Sequence, residues 1–151
     1  MTVEIRLEVR KNNLPLLTPM DLSKPFARFA TYMHGEVDEM FETEGASRGT
    51  PWPYLAPSTL AKKSRLGRSL NILVFKGRMK SNFGVLDITP DVLVFGVPDH
   101  VAPQAKYHDS DEPRTKLPRR KLMRVTPNDL VTIERFTAGH FEATAEGGLG
   151  A

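Results

Sequence analysis

Val3, Ile5, Leu7 and Val9 alternate with Glu4, Arg6, Glu8 and Arg10. This strict period of two predicts a strand with one face buried and the other in water. After a loop over Asn12 to Pro19 the period changes: Leu22, Phe26, Phe29, Met33, Val37, Met40 and Phe41 recur at helical spacing. They predict a long helix with one apolar stripe, capped by Asp21 or Ser23 and tolerant of Pro25 because that residue falls in the first turn. Gly45 ends the helix, and the small polar run Glu44 to Thr50 reads as a flexible connection.

The stretch that follows is punctuated by proline. Pro51, Pro53 and Pro57 bracket Trp52, Tyr54 and Leu55, which rules out a helix there and predicts an extended segment that presses its aromatics onto a neighbouring surface. Trp52 reads either as an exposed anchor for a partner or as a lone core tryptophan. Ser58 or Thr59 caps a short helix over Leu60 to Arg65 that stops near Gly67. The run Leu70 to Phe75 fits a buried strand or a turn and a half of helix equally, and Gly77 breaks it.

Phe83, Val85 and Leu86 lead to Ile88, and Val92 to Val97 follows the turn signal Thr89-Pro90-Asp91, the pattern of a β-hairpin. The second of these runs is apolar on both faces, so its strand is central in a sheet or has its outer face covered by another subunit. Four prolines and a cluster of acids predict a long irregular loop from Pro98 to Pro118, of a length that is either functional or disordered. Thr126, Pro127 and Asp129 start a last helix with Leu130, Ile133, Phe136 and His140 or Phe141 turned inward. The expected architecture is α+β: an antiparallel sheet of the N-terminal strand and the central hairpin, covered by the long helix and braced by the C-terminal one. It forms a single domain over residues 1–142, with 143–151 a glycine-rich frayed tail.

Composition narrows the function classes. In 151 residues there is no cysteine, so disulfides and thiol chemistry are excluded and the soft metal ligands are gone, as suits a reducing cytoplasm. No apolar stretch reaches membrane-spanning length, and Glu4 and Arg6 interrupt the N-terminus where a signal peptide would be apolar. The formal charge is only +3, but it is segregated. Seven Lys or Arg and no acid lie between Lys62 and Lys80, and Arg114, Lys116, Arg119, Arg120, Lys121 and Arg124 make a second basic cluster. Glu36, Asp38, Glu39, Glu42 and Glu44 form an acidic block at the end of the long helix, where the helix dipole disfavours them. Surfaces divided in this way meet nucleic acid or a complementary protein face.

Catalytic patterns are not found. His34, His100, His108 and His140 never fall at metal-ligand spacing with one another; Asp99, Asp109 and Asp111 beside His100 and His108 make at most a weak metal site. There is no glycine-rich phosphate loop, and neither Ser58 nor Ser69 has a base near it in sequence. The expectation is a non-enzyme without cofactor.

The order of features resembles a known family. Trp52, Leu55, Ser58-Thr59, Lys62-Lys63, the apolar run to Phe75 and Gly77-Arg78-Met79 are similar to the W, L, T, K, L and G-x-L series of the phage virion morphogenesis, or tail completion, proteins. Ala105-Lys106-Tyr107-His108 and Leu117-Pro118-Arg119 are similar to that family's Tyr-Ala…His-x-x-Gly and Pro-x-Arg elements, although Asp109 to Pro113 stand where its glycine would follow the histidine. The resemblance spans Trp52 to Phe141. It implies a structural subunit of the virion neck, made in the host cytoplasm, that forms a homo-oligomeric ring, expected to be a hexamer. Such a ring caps the head-proximal end of the tail tube and meets tail and head-connector proteins, with DNA passing only through its opening. On this reading the two divided surfaces are subunit contacts, through Arg114, Lys116, Arg119, Arg120, Lys121 and Arg124 on one side and Glu39, Glu42 and Glu44 on the other, with Trp52 a further anchor. The rival expectation from charge alone is a basic nucleic-acid-binding module.

Overall fold

The computed structural model describes residues 3–8, 21–74, 76–110 and 118–148. Val9, Arg10, the loop 12–19 and Phe75 lie outside them. Among the described residues the chain is α+β: a three-stranded antiparallel sheet and five α-helices, the last of them long.

Strand β1 (Glu4–Glu8) and the hairpin strands β2 (Gly84–Ile88) and β3 (Val92–Gly96) are ordered β1-β3-β2. The strand that reads as apolar on both faces is therefore the central one. Ile5 lies opposite Phe95 and Leu7 opposite Leu93, so the alternate residues of the N-terminal pattern share one face with the large side chains of β3. Gly96 sits where β1 crosses closest, since a Cβ there would lie 2.5 Å from the carbonyl oxygen of Val3. In β2 the register slips between Val85 and Asp87, which leaves Leu86 as a bulge in this edge strand.

Helix α1 (Ser23–Glu42) lays its expected stripe on the sheet. Phe26, Phe29, Met33, Val37, Met40 and Phe41 are buried together with Val3, Ile5, Leu93 and Phe95. Its start is held by Asp21, whose Oδ1 accepts the Ser23 N–H at 2.8 Å, although the residue in the capping position is Leu22. The chain leaves α1 through Glu44 and Gly45, both at positive φ, into a short 3-10 turn, Ala46–Arg48. Gly45 is required there: a Cβ would meet the Thr50 carbonyl oxygen at 2.3 Å and the Trp52 ring at 2.7 Å. The small polar run is therefore a tight, specified reversal.

Several expectations are corrected. Helix α2 spans Pro57–Arg65 and begins with Pro57 in its first turn and Ala56 before it, so neither Ser58 nor Thr59 is its cap; the fixed φ of proline suits a first turn that needs no side-chain cap. Leu70 to Val74 is neither strand nor helix but a series of turns, because only Ile72 is fully buried while Leu70 is exposed. A four-residue helix α3 (Arg78–Ser81) follows Gly77. The expected irregular loop after Pro98 contains helix α4 (Ala102–Asp109). Its prolines misled because Pro98 supplies the carbonyl that accepts the Val101 and Ala102 N–H groups, while Pro103 occupies the first turn.

Helix α5 (Pro127–Gly148) packs on α1 and stays helical through most of the segment expected to fray. Its inward face keeps the expected Ile133 and Phe136 but not Leu130. Asp129 and Thr132 are buried, Ile133 and Phe136 pack against the core, and Leu130 is 51% exposed. The stripe on α1 generates a direct test: Phe29→Ala removes a ring that is 1% exposed and is expected to lower stability by about 3–5 kcal/mol. A urea melt of a soluble variant with an unchanged midpoint would show that this stripe is not the core.

Candidate interaction surface

A buried polar knot joins α1, the 3-10 turn and α5. Arg48 projects from the turn between Gly45 and Gly49, with its side chain almost fully enclosed. Its Nη2 donates to Asp129 Oδ2 at 2.5 Å and to the Arg124 carbonyl oxygen; its Nη1 donates to Asp129 Oδ1 at 3.0 Å and to Glu36 Oε2 at 2.8 Å. Asp129 also accepts the Tyr32 hydroxyl at 2.9 Å and the Thr126 N–H at 2.8 Å, while its own N–H donates to the Thr126 hydroxyl. The last two bonds make a reciprocal capping box at the start of α5.

The ionisation of this knot follows from its contacts. Burial acts to raise the Asp129 carboxyl, but the hydrogen bonds from Arg48, Thr126 and Tyr32 and the Arg48 charge outweigh it and hold the group below its ordinary value of 3.8. The Tyr32 phenol is pushed up to about 12 by burial and by its bond to Asp129.

A second set of contacts fixes the segment 118–124, where four of the expected interface cations lie. Arg119 Nε donates to the Asp109 carbonyl oxygen at 3.1 Å. Arg120 is 3% exposed and donates from Nε and Nη2 to the Pro53 carbonyl oxygen and from Nη2 to that of Tyr54. The Lys121 carbonyl accepts the indole N–H of Trp52 at 2.8 Å, and the Leu122 N–H donates to Asp109 Oδ1. Trp52 itself is 5% exposed and stands edge-on to Phe41 with ring centroids 5.3 Å apart.

Several expected site residues therefore work inside the subunit. Trp52 is a core residue, Arg120 is a buried strut under the proline-rich segment, and Glu44 accepts the Ile72 N–H at 3.0 Å through Oε1. Arg119, Lys121 and Arg124 are partly buried in the same packed segment. Arg114 and Lys116 lie outside the described residues. Of the expected site residues that are described, only Glu39 and Glu42 are fully at the surface.

The basic character expected from sequence is gathered elsewhere, in a cleft of about 980 Å³ between α2, α4 and the Lys76–Met79 turn. Lys63, Lys76, Arg78 and Arg120 line it together with His108, and among the described residues no Asp or Glu does. Lys63 is 4% exposed and donates to the Asn71 carbonyl oxygen at 2.6 Å. Burial lowers the affinity of both Lys63 and Arg120 for their protons; Glu44 opposes this in each case, while the Arg120 charge lowers Lys63 further. Tyr54, 88% exposed, stands at the rim.

No group of three or more histidines or acids comes together among the described residues. Asp109, expected near a weak metal site, is instead bonded to Leu122, and Asp111 lies outside the described residues. No helix among the described residues is long and apolar enough to cross a membrane. No protein-family model matches the chain, and no curated protein or solved structure matches it either.

The knot makes two predictions. Arg48→Ala strands the buried Asp129 carboxylate and is expected to destabilise the protein by about 3–5 kcal/mol, which chemical denaturation reads directly. In the parent protein, the lowered Asp129 carboxyl stabilises the fold above its unfolded-state value near 3.8 and loses that contribution as pH falls further. The raised Tyr32 phenol contributes fully below its ordinary value of 10.0 and is lost as pH climbs towards about 12. Stability against pH should thus form a plateau falling at both ends, and Asp129→Asn should flatten the acid limb; an unchanged limb would remove Asp129 from its cause.

Proposed function

We propose that this protein is a non-enzymatic structural subunit that assembles with copies of itself into a ring, as the resemblance to phage tail completion proteins implies. In that role it caps the head-proximal end of a tail tube in the virion neck and offers its faces to tail and head-connector proteins. The supporting observation is strand β2. It lies at an edge of the sheet, and Val85, Leu86 and Ile88 are exposed by 42%, 40% and 39% along it. Soluble proteins shield such edges with charge, proline or a covering element, because an unpaired apolar edge recruits another chain. Here the only charge on the strand is Asp87. A repeated contact between unlike faces closes a ring when its rotation divides the circle.

The rival nucleic-acid reading loses part of its sequence support, because Arg120 in the C-terminal basic cluster is occupied by carbonyl oxygens of its own chain.

Sedimentation velocity over a concentration series tests the proposal, with negative-stain imaging of the largest species. The parent protein is expected to populate a closed oligomer as concentration rises. Leu86→Lys is expected to shift it to monomer with its melting temperature nearly unchanged, since surface substitutions usually alter stability by no more than about 0.5 kcal/mol. A parent protein that stays monomeric throughout would sink the ring.

A further inference from the structure

We infer that the basic cleft is the receptor for the acidic end of α1 from a second copy of this chain. The inference rests on the self-assembly proposed above and names the contact that directs it.

The argument begins with two electrostatic mismatches of opposite sign. At the end of α1, Glu39 and Glu42 are exposed, the last turn carries no basic residue, and neither side chain has a cationic partner among the described residues. Acids there face the negative end of the helix dipole, which disfavours them. Their neighbours Asp38 and Glu36 are already paired, with Lys80 and Arg48. At the cleft the imbalance is reversed. Lys63 and Arg120 form its floor, both nearly fully enclosed, with Glu44 the one acid that acts on both. Lys76 and Arg78 stand exposed on its wall on either side of Gly77, whose φ of 72° turns the chain between them. Neither has an acidic partner among the described residues.

Each surface therefore lacks what the other presents. Carboxylates entering the cleft would offset the buried Lys63 and Arg120 charges and meet Lys76 and Arg78 directly, and the cations would neutralise the misplaced helix end. The two surfaces are different patches of one chain, so the contact is heterologous: each copy offers its helix to the next and its cleft to the one before, as a ring requires.

A charge exchange tests this, using exposed residues that hold nothing together in the subunit. Glu39→Lys with Glu42→Lys, and separately Lys76→Glu with Arg78→Glu, should each weaken self-association on the order of a hundredfold, because like charges then face each other. Mixing the two variants should restore assembly as an alternating oligomer, each helix again meeting a cleft of opposite sign. A parent protein that associates while neither variant changes overturns this contact and leaves the self-assembly proposal standing. A parent that never associates overturns both. Variants that lose association without recovery on mixing overturn the pairing. If the Lys76→Glu, Arg78→Glu variant keeps its association but releases a fluorescent single-stranded oligonucleotide that the parent retains, the cleft is a nucleic-acid surface and the inference fails.

Discussion

The buried pair of Arg48 and Asp129 is the constraint on which the arrangement of helices depends. It joins a turn just after α1 to the first turn of α5, so two helices far apart in sequence have their relative position set by one bidentate contact. A buried ion pair gains little over a well-packed apolar substitute, since desolvation offsets most of the attraction. Its contribution lies in direction. An apolar plug would tolerate sliding of α5 along α1, whereas the fork of Arg48 is satisfied only when Asp129, Glu36 and the Arg124 carbonyl converge on it.

The same logic extends to the segment before α5. Trp52 fills the core beside Phe41 and uses its indole N–H to hold the Lys121 carbonyl, while Arg120 reaches back to the carbonyls of Pro53 and Tyr54. The two stretches bind each other through backbone carbonyls, which fits segments with no sheet or helix of their own to satisfy those groups. Gly45 makes this possible by letting the Trp52 ring approach the chain end of α1.

Much of the fold was legible because its elements obey a single period. The alternation from Val3, the stripe on α1 and the hairpin turn at Thr89-Pro90-Asp91 are local patterns with local causes, and each appears where expected. Helix α4 was not legible, because proline reads the same in a loop as in the first turn of a helix. The inward face of α5 was legible only in part: the apolar stripe places Ile133 and Phe136 correctly, but Leu130 is exposed and the ion pair turns Asp129 inside instead. Charge clusters were the least reliable guide. The basic run containing Arg119 to Lys121 looks like a surface in sequence, yet Arg120 is enclosed, because a buried carbonyl is as good a partner for guanidinium as an external acid. Arg48 gave one signal in hindsight, a lone cation between two closely spaced glycines. The Thr126 and Asp129 spacing of a capping box gave another.

The sheet also has a consequence for how the chain reaches this state. β1 is made first, but its partner is β3, with α1, α2 and α3 between them in sequence. At roughly 5–20 residues per second of synthesis, the first strand and the apolar face of α1 wait several seconds for the strand that covers them. Pairings that close so long a loop raise the contact order and slow the search for the native topology. The apolar face of α1 therefore stays partly uncovered until β3 emerges, and a truncation before Val92 would deprive it of Leu93 and Phe95.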